Sequence, residues 1–449
     1  MKVPPSKRYH LLSVKEKKMK RILLASLLCL FLSACSPDSS TTHTEPSPPD
    51  DSTTLTEPPP PTAQATGISH GSTAPDGENL MLISHFGHQL TEEGYFVGGN
   101  VITFSDFSTE RSFVVCAQPG CTHGDSLCSA FLGGINNEYA LYRGVFYTLI
   151  TEHGGESEWH YTFKSREPED AAWQTLWAHS LATGTAGNVV VRLGGGYAAI
   201  MVRETIWDEQ HADRGYTHLV AVNLDAGTVE NIMPRREDIN SESHLLYGAA
   251  EGKAVIAWTG FDREIIPHDD FVRQSIEDDG VSAEDATDSW FRLLEESRIN
   301  RILIADLATG AITEIASGPR SVLPLPTHPN FVYKGMVYYY YDGAIISYSL
   351  RDAQAKELLR IPDVVNVFAF DGRVFYITST NYEHSFFYHI LESGEAHQLN
   401  NGNNKEVMIM SINYENNTMF MGLHNGGWNV LISKEDFYNE DYDRAIRVG

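Results

Sequence analysis

A pair of turns recurs along this chain of 449 residues, and the distance between recurrences restricts what it can fold into. One turn precedes an apolar strand, at Gly94, Gly144, Gly196, Gly252, Gly335, Gly372 and Asn417. The other is polar and carries a leucine, as in Ser180-Leu181-Ala182-Thr183-Gly184, Asn223-Leu224-Asp225-Ala226-Gly227, Asp306-Leu307-Ala308-Thr309-Gly310, Ser349-Leu350-Arg351-Asp352 and Ile390-Leu391-Glu392-Ser393-Gly394. Leu181 and Leu224 are 43 residues apart, Leu307 and Leu350 are 43 apart, and Leu350 and Leu391 are 41 apart. A period of this size, with about four strands per unit, is that of a β-propeller blade. One blade cannot bury both of its faces, so blades must stack radially. The pattern predicts an all-β fold over residues 79–449: a β-propeller of four-stranded blades, seven by count, with six or eight within reach of the same turns. Two β-sandwiches with similar turns are the competing architecture. Aromatic and β-branched residues dominate this stretch, which suits strands.

Two intervals are longer than the period, and each reads as an insertion. Glu152–Ala172 is polar and poor in strand pattern. The segment 264–298 is acidic and helical in pattern. Ser282-Ala283-Glu284-Asp285 resembles a capped helix start, and Ala286, Trp290, Leu293, Leu294 and Ser297 recur at helical spacing. Such an arm either packs on a blade edge or presents Trp290 and Phe291 to a partner.

The first 34 residues read as a lipoprotein signal. A basic stretch ends at Arg21, Ile22–Leu32 is almost wholly apolar, and Leu32-Ser33-Ala34-Cys35 has the form of a lipobox. The apolar run is too short to span a bilayer, and Met19-Lys20-Arg21 would by itself begin such a signal. Cys35 is the expected lipidation site. An uncleaved N-terminal anchor is the alternative, and either form tethers the chain to the cell membrane on its extracytoplasmic face. Residues 35–78 are rich in Pro, Ser and Thr, with runs such as Pro58-Pro59-Pro60-Pro61, and predict a disordered linker without a core. In the polyproline II limit it would reach about 130 Å. Residues 1–34 hold eight Lys/Arg and one Asp/Glu, so their removal moves the formal charge from −26 to −33. A surface this acidic excludes nucleic acid as a partner.

Beyond Cys35 the cysteines are Cys116, Cys121 and Cys128, with His123 among them. Four soft or borderline ligands at this spacing can close a tetrahedral Cys3His site of the kind zinc favours. Pro119-Gly120 supplies a turn that folds Cys121 back toward Cys116. The other reading is a disulfide between two of the three cysteines with one thiol left over. Thr122 separates Cys121 from His123, which excludes c-type haem attachment. A site with four protein ligands is closed, so a zinc ion here would be structural.

Through these turns and through Cys116-Ala117-Gln118-Pro119-Gly120-Cys121-Thr122-His123 to Cys128-Ser129-Ala130, the chain resembles lipoproteins of Gram-positive bacteria over residues 80–440. Their propellers are related to the low-density-lipoprotein-receptor (YWTD-like) type. The resemblance implies a propeller and a lipid anchor, and assigns the cysteine cluster no role.

No Walker loop, H-E-x-x-H or EF-hand spacing occurs. Gly194-Gly195-Gly196 lacks a following helix pattern and reads as a turn, and Asp269-Asp270 and Asp278-Asp279 read as solvated charges. Tyr338-Tyr339-Tyr340-Tyr341 alternates across a strand, half of it expected between blades and half lining a channel or face. His85 with His88, and His384 with His389, read as surface or satisfied core residues. The expectation is a binding or scaffold module for an envelope protein, peptide or glycan, and no catalytic residue is assigned. The alternative is a carbohydrate-active or other hydrolase with carboxylates gathered at the channel mouth.

Overall fold

The computed structural model describes residues 80–81 and 88–448, apart from 125–126, 133–137, 155–157, 182–184, 209–210, 239–241, 263–264, 326–330, 381–382, 400–411 and 424–428. The chain divides into two units, Met1–Pro60 and Pro61–Gly449, and every described residue belongs to the second. Cys35, the signal, the linker and His85 lie outside the described residues. Among those residues, no helix is long and apolar enough to cross a membrane.

The second unit is a β-propeller of seven antiparallel blades, each built from four strands consecutive in sequence. The first strands of blades 1 to 7 are His88–Leu90, Glu138–Tyr142, Thr185–Gly194, Ser243–Ala250, Val332–Tyr333, Val364–Phe370 and Ile412–Glu415. They form the inner ring: those of blades 3 and 4, 4 and 5, 5 and 6, and 7 and 1 touch one another. Leu80–Met81 adds a fifth strand to blade 3, pairing with its first strand through Leu80↔Leu193 and Met81↔Arg192.

The recurring glycines have one physical cause. In blades 2 to 6 the first hairpin turns through two residues that both have positive φ: Arg143-Gly144, Gly195-Gly196, Glu251-Gly252, Lys334-Gly335 and Asp371-Gly372. That is the signature of a type I′ turn, whose twist matches the flanking strands. Blade 3 also needs its glycines for space, since a Cβ on Gly194 would lie 1.8 Å from the Ala249 carbonyl oxygen of blade 4.

The recurring leucines answer those glycines. Leu224, Leu307, Leu350 and Leu391 follow the third strand of blades 3 to 6, and each donates its backbone N–H to the carbonyl of the I′ glycine in its own blade. The acceptors are Gly196, Gly252, Gly335 and Gly372, at 2.9–3.0 Å. Phe107 to Glu93 in blade 1 and Lys434 to Thr418 in blade 7 repeat the bond at 2.9 Å. The polar residue ahead of the leucine shapes the turn. Asp306 Oδ1 accepts from the backbone N–H of Ala308 and Thr309, and Asn223 Oδ1 does so from Asp225 and Ala226. Neighbouring blades are then tied at the same level, by the Arg351–Glu251 pair at 2.7 Å and by Lys253 Nζ donating to the Leu350 carbonyl.

Two expectations are corrected here. Leu181 ends the fourth strand of blade 2, Gln174–Leu181, and does not stand in a turn between third and fourth strands, so its 43-residue distance to Leu224 is not a blade period. The segment Glu152–Ala172 is no insertion, because it contains the third strand of blade 2, Trp159–Arg166. The long interval in blade 4 does hold an insertion between its second and third strands: helix α1 (His268–Asp279) and helix α2 (Ala283–Ser297).

The core lies between the blades. Tyr142, Phe163, Val191 and Ile200 pack at the junction of blades 2 and 3; Met201, Leu219, Ile256 and Leu307 pack between blades 3 and 4. In the second strand of blade 5, Met336–Tyr341, Tyr339 packs toward blade 4 while Tyr338 and Tyr340 pack toward blade 6. Both halves of the tyrosine run are therefore interblade packing. Among the described residues no strand is exchanged to close the ring. Blade 7 meets blade 1 through Leu90, Met421, Leu431 and Val448, and Asn416 Nδ2 donates to the Thr91 carbonyl at 3.0 Å. Asn429 Nδ2 lies 2.8 Å from His88 Nδ1, and burial holds His88 below its ordinary pKa, neutral and able to accept.

Leu350→Ala empties a fully buried site and should cost about 2–5 kcal/mol in denaturant unfolding, whereas exposed Ile276→Ala should stay within about 0.5 kcal/mol. Equal effects would contradict the packing described. Burial, opposed by the Arg192 charge, pushes the Glu138 carboxyl up to about 7. A carboxyl raised in the folded state holds its proton better there than in the unfolded chain. Stability is therefore lost as pH rises from the ordinary carboxylate range to about 7. Glu138→Gln should flatten that slope in melting temperatures measured from pH 4 to 8, and an unchanged slope would refute the assignment.

Candidate metal centre

The loop from Val115 to Leu132 leaves the fourth strand of blade 1, Arg111–Val114, and leads to blade 2. Gln118-Pro119-Gly120-Cys121 is a turn with proline second and glycine third, closed by Cys121 N–H donating to the Gln118 carbonyl at 3.3 Å. Gly120 has φ of 73°, as the third position of a type II turn requires. His123 also has positive φ, 59°, uncommon for a residue with a Cβ. That kink turns its ring back, so that Nδ1 lies 3.4 Å from Cys128 Sγ.

The structure brings all four predicted residues together. The Sγ atoms of Cys116, Cys121 and Cys128 and a ring nitrogen of His123 all lie within 4.8 Å of one another. No disulfide joins the cysteines. Zinc bonds of about 2.3 Å to sulfur and 2.0 Å to nitrogen place tetrahedral ligand atoms about 3.5–3.8 Å apart, so the cluster has the size of a Cys3His site. Two sulfurs already accept backbone N–H groups two residues on: Gln118 donates to Cys116 Sγ and His123 to Cys121 Sγ, each at 3.4 Å. Such bonds favour the thiolate, the form that binds metal.

A second ring of residues, which sequence reading did not identify, holds the loop. Ser129 Oγ accepts from Ala117 N–H at 2.8 Å and donates to Cys116 Sγ at 3.4 Å. Trp173 Nε1 donates to the Ser129 carbonyl at 3.1 Å. Arg166, the largest fully buried side chain, donates from Nη2 to the Val115 carbonyl and from Nη1 to the carbonyls of Glu167, Pro168 and Asp170. Its guanidinium lies 5.2 Å from the ring centres of Phe146 and Trp173 and is drawn electrostatically to Cys116 and Cys128. A buried cation offsets the cost of thiolates. Burial works against the Cys116 thiolate, but hydrogen bonds from Ser129, Gln118 and Cys128 outweigh it and bring the thiol down to about 6. Burial together with the neighbouring sulfurs pushes Cys128 up to about 12.

The other residues singled out in the sequence do not form a centre. Asp269 and Asp270 stand in the first turn of α1, Asp269 fully exposed and Asp270 paired with Arg273 at 2.6 Å. Gly194-Gly195-Gly196 is the I′ hairpin turn of blade 3, with no helix after it.

No protein-family model matches the sequence, and no curated protein matches it. Among solved structures, the chain is similar to dipeptidyl peptidase 4 of Porphyromonas gingivalis, at 9% identity and a TM-score of 0.42, over 86% of this chain and 55% of that one. It is similar to the WD40 domain of SCAP from fission yeast at 7% identity and a TM-score of 0.31, covering 84% and 88% of the two chains. A protein of Listeria monocytogenes follows at 7% identity and 0.33, covering 68% and 79%. This chain thus spans little more than half the length of the peptidase, and none of the three likenesses bears on activity.

In chelator-treated protein at pH 7, alkylation should strike Cys116 first and buried Cys128 last, read by mass spectrometry. Added zinc should protect all three, and His123→Ala should weaken zinc binding by at least about tenfold. Rates indifferent to zinc would rule out a metal centre.

Proposed function

We propose that this chain is a lipid-anchored extracytoplasmic β-propeller that binds or scaffolds a protein, peptide or glycan partner of the cell envelope, with the Cys3His cluster holding a structural zinc ion. The anchor reading rests on the lipobox at Leu32-Ser33-Ala34-Cys35 and on the proline-rich linker after it. The zinc reading rests on the thiolate-favouring contacts and ligand spacing around Cys116.

One observation carries the binding reading: the helical pair inserted in blade 4. It is well built. Ser282 caps α2 by accepting from Asp285 N–H, Gly280 ends α1 in the left-handed region, and Trp290 Nε1 donates to the Ile266 carbonyl at 2.9 Å with its ring edge-on to His268. Yet α1 buries no residue, and α2 buries only Ala286 and Ser297. Phe291 is 55% exposed, and Ile266, Ile276 and Val281 are exposed as well. Ten acidic residues against Arg273 and Arg292 surround these apolar groups between His268 and Ser297. An ordered arm that displays apolar side chains amid negative charge suits a partner with apolar and basic groups.

Cys35→Ala should move the protein from the membrane to the soluble fraction; retention through high-salt washing would defeat the anchor reading. A photo-crosslinker at Phe291 should capture a defined envelope partner that the same probe at exposed Val365 in blade 6 does not. Equal yields at both positions would defeat the binding role of the arm.

A further inference from the structure

Where blade 2 meets blade 3, a second group of metal-ligating side chains converges, drawn from three strands. His179 stands in the fourth strand of blade 2, Glu204 in the second strand of blade 3 (Tyr197–Asp208) and His218 in the third (His211–Asn223). Register explains the last two. Val202 pairs with His218 and Glu204 with Tyr216, so Glu204 and His218 are diagonal neighbours on one face. A bulge in the fourth strand, Val229–Asp238, where pairing passes from Leu219↔Met233 to Thr217↔Arg236, brings Arg235 over the same face.

The Glu204 carboxylate is divided between two kinds of neighbour. Its Oε2 accepts from Arg235 Nε and Nη2, both at 2.9 Å, and the Arg235 guanidinium rests 3.8 Å from the Tyr216 ring centre. Its Oε1 faces the two imidazoles, with His179 Nε2 at 3.2 Å and His218 Nδ1 at 3.9 Å. The His179 ring stacks on Trp177 and meets the His218 ring edge-on, which fixes both orientations. Glu204 and His218 are more than nine-tenths buried, whereas His179 keeps a quarter of its side chain in solvent.

An ion-pair network alone leaves one atom unexplained. His218 Nδ1 is buried, points into the cluster and has no hydrogen-bond partner, since 3.9 Å to Glu204 Oε1 exceeds bonding distance. A metal ion supplies that partner. Bonds of about 2.0–2.2 Å put tetrahedral N and O ligands about 3.2–3.5 Å apart, which the His179–Glu204 edge already meets and the His218 edge reaches by a shift of about 0.5 Å. All three ligand atoms lie within 4.8 Å of one another. Arg235, bound to the far oxygen, orients the carboxylate as outer partners of metal ligands do.

We propose that His179, Glu204 and His218 form a second metal site, of His2Glu type and selective for zinc or a similar borderline divalent cation, at the junction of blades 2 and 3. Unlike the Cys3His cluster, it has three protein ligands and leaves a fourth position for water or an incoming donor. It also bridges two blades, so occupancy would fasten the fourth strand of blade 2 to the second and third strands of blade 3.

The test removes the first site to expose the second. The full chain carrying Cys116→Ser, Cys121→Ser and Cys128→Ser, stripped with chelator and titrated with zinc, should retain one equivalent through gel filtration. Adding His218→Ala or Glu204→Gln should weaken that binding by at least about tenfold. A folded triple-serine protein that retains no zinc, or retention indifferent to His218→Ala, overturns the proposal. If the triple variant does not fold, cobalt is titrated into the unaltered chain. The proposal then requires a second equivalent with visible ligand-field bands but no further thiolate charge-transfer absorption, and a single equivalent overturns it.

Discussion

One hydrogen bond, repeated blade after blade, underlies the regularity of this molecule. In blades 1 and 3 to 7 the N–H at the start of the outer turn is donated to the carbonyl of the inner hairpin turn, as from Leu307 to Gly252 and from Leu350 to Gly335. It ties the first hairpin of a blade to its second, and in blades 4 and 5 it carries a fully buried leucine, Leu307 or Leu350, inward with it. Turns are ordinarily where a sheet protein frays. Here one rim of the ring is cross-linked within blades 1 and 3 to 7 and, through Glu251–Arg351 and Lys253–Leu350, between blades 4 and 5. A ring closed without strand exchange among its described residues depends on such devices, because those residues hold blade 7 to blade 1 by side-chain packing and bonds such as Asn416 to Thr91.

That bond is also why the architecture was legible in the sequence. In blades 3 to 6 its two ends are a residue tolerant of positive φ and a leucine after a turn, and both leave a mark in the sequence of each of those blades. The reading went astray where the same letters arose from another cause. Ser180-Leu181 has the look of the clamped turn, but Leu181 is the buried end of an outer strand. The strand Trp159–Arg166 is hard to read from sequence because its buried apolar positions, Tyr161 and Phe163, alternate with the polar His160, Thr162 and Lys164. Its polar face hid a period-two signal that was present. The tyrosine run carried that signal openly, yet periodicity could not say that both faces of a propeller strand meet a neighbouring blade.

The two candidate metal centres differ in legibility for the same reason. Cys116, Cys121, His123 and Cys128 lie within thirteen residues and come from one loop, so their spacing announces them. The residues that hold the loop, Arg166, Trp173 and Ser129, carry no such mark, because a buried arginine reads as a surface charge until its carbonyl partners are seen. His179, Glu204 and His218 come from three strands, and only the register of blade 3 and its seam with blade 2 bring them to one point. The helical arm was legible from its capping and spacing, and its exposure belongs to the folded molecule alone.

The dependence on the turn-to-turn bond is open to direct measurement by native-state hydrogen exchange resolved to single amides. The amides of Leu224, Leu307, Leu350 and Leu391 should exchange only through global unfolding, with the same free energy as the central strands, although each lies in a surface turn. If those four amides exchange with the fast kinetics of the Asp306–Gly310 side of the same turns, the rims are not clamped, and the account of how this ring is held together fails.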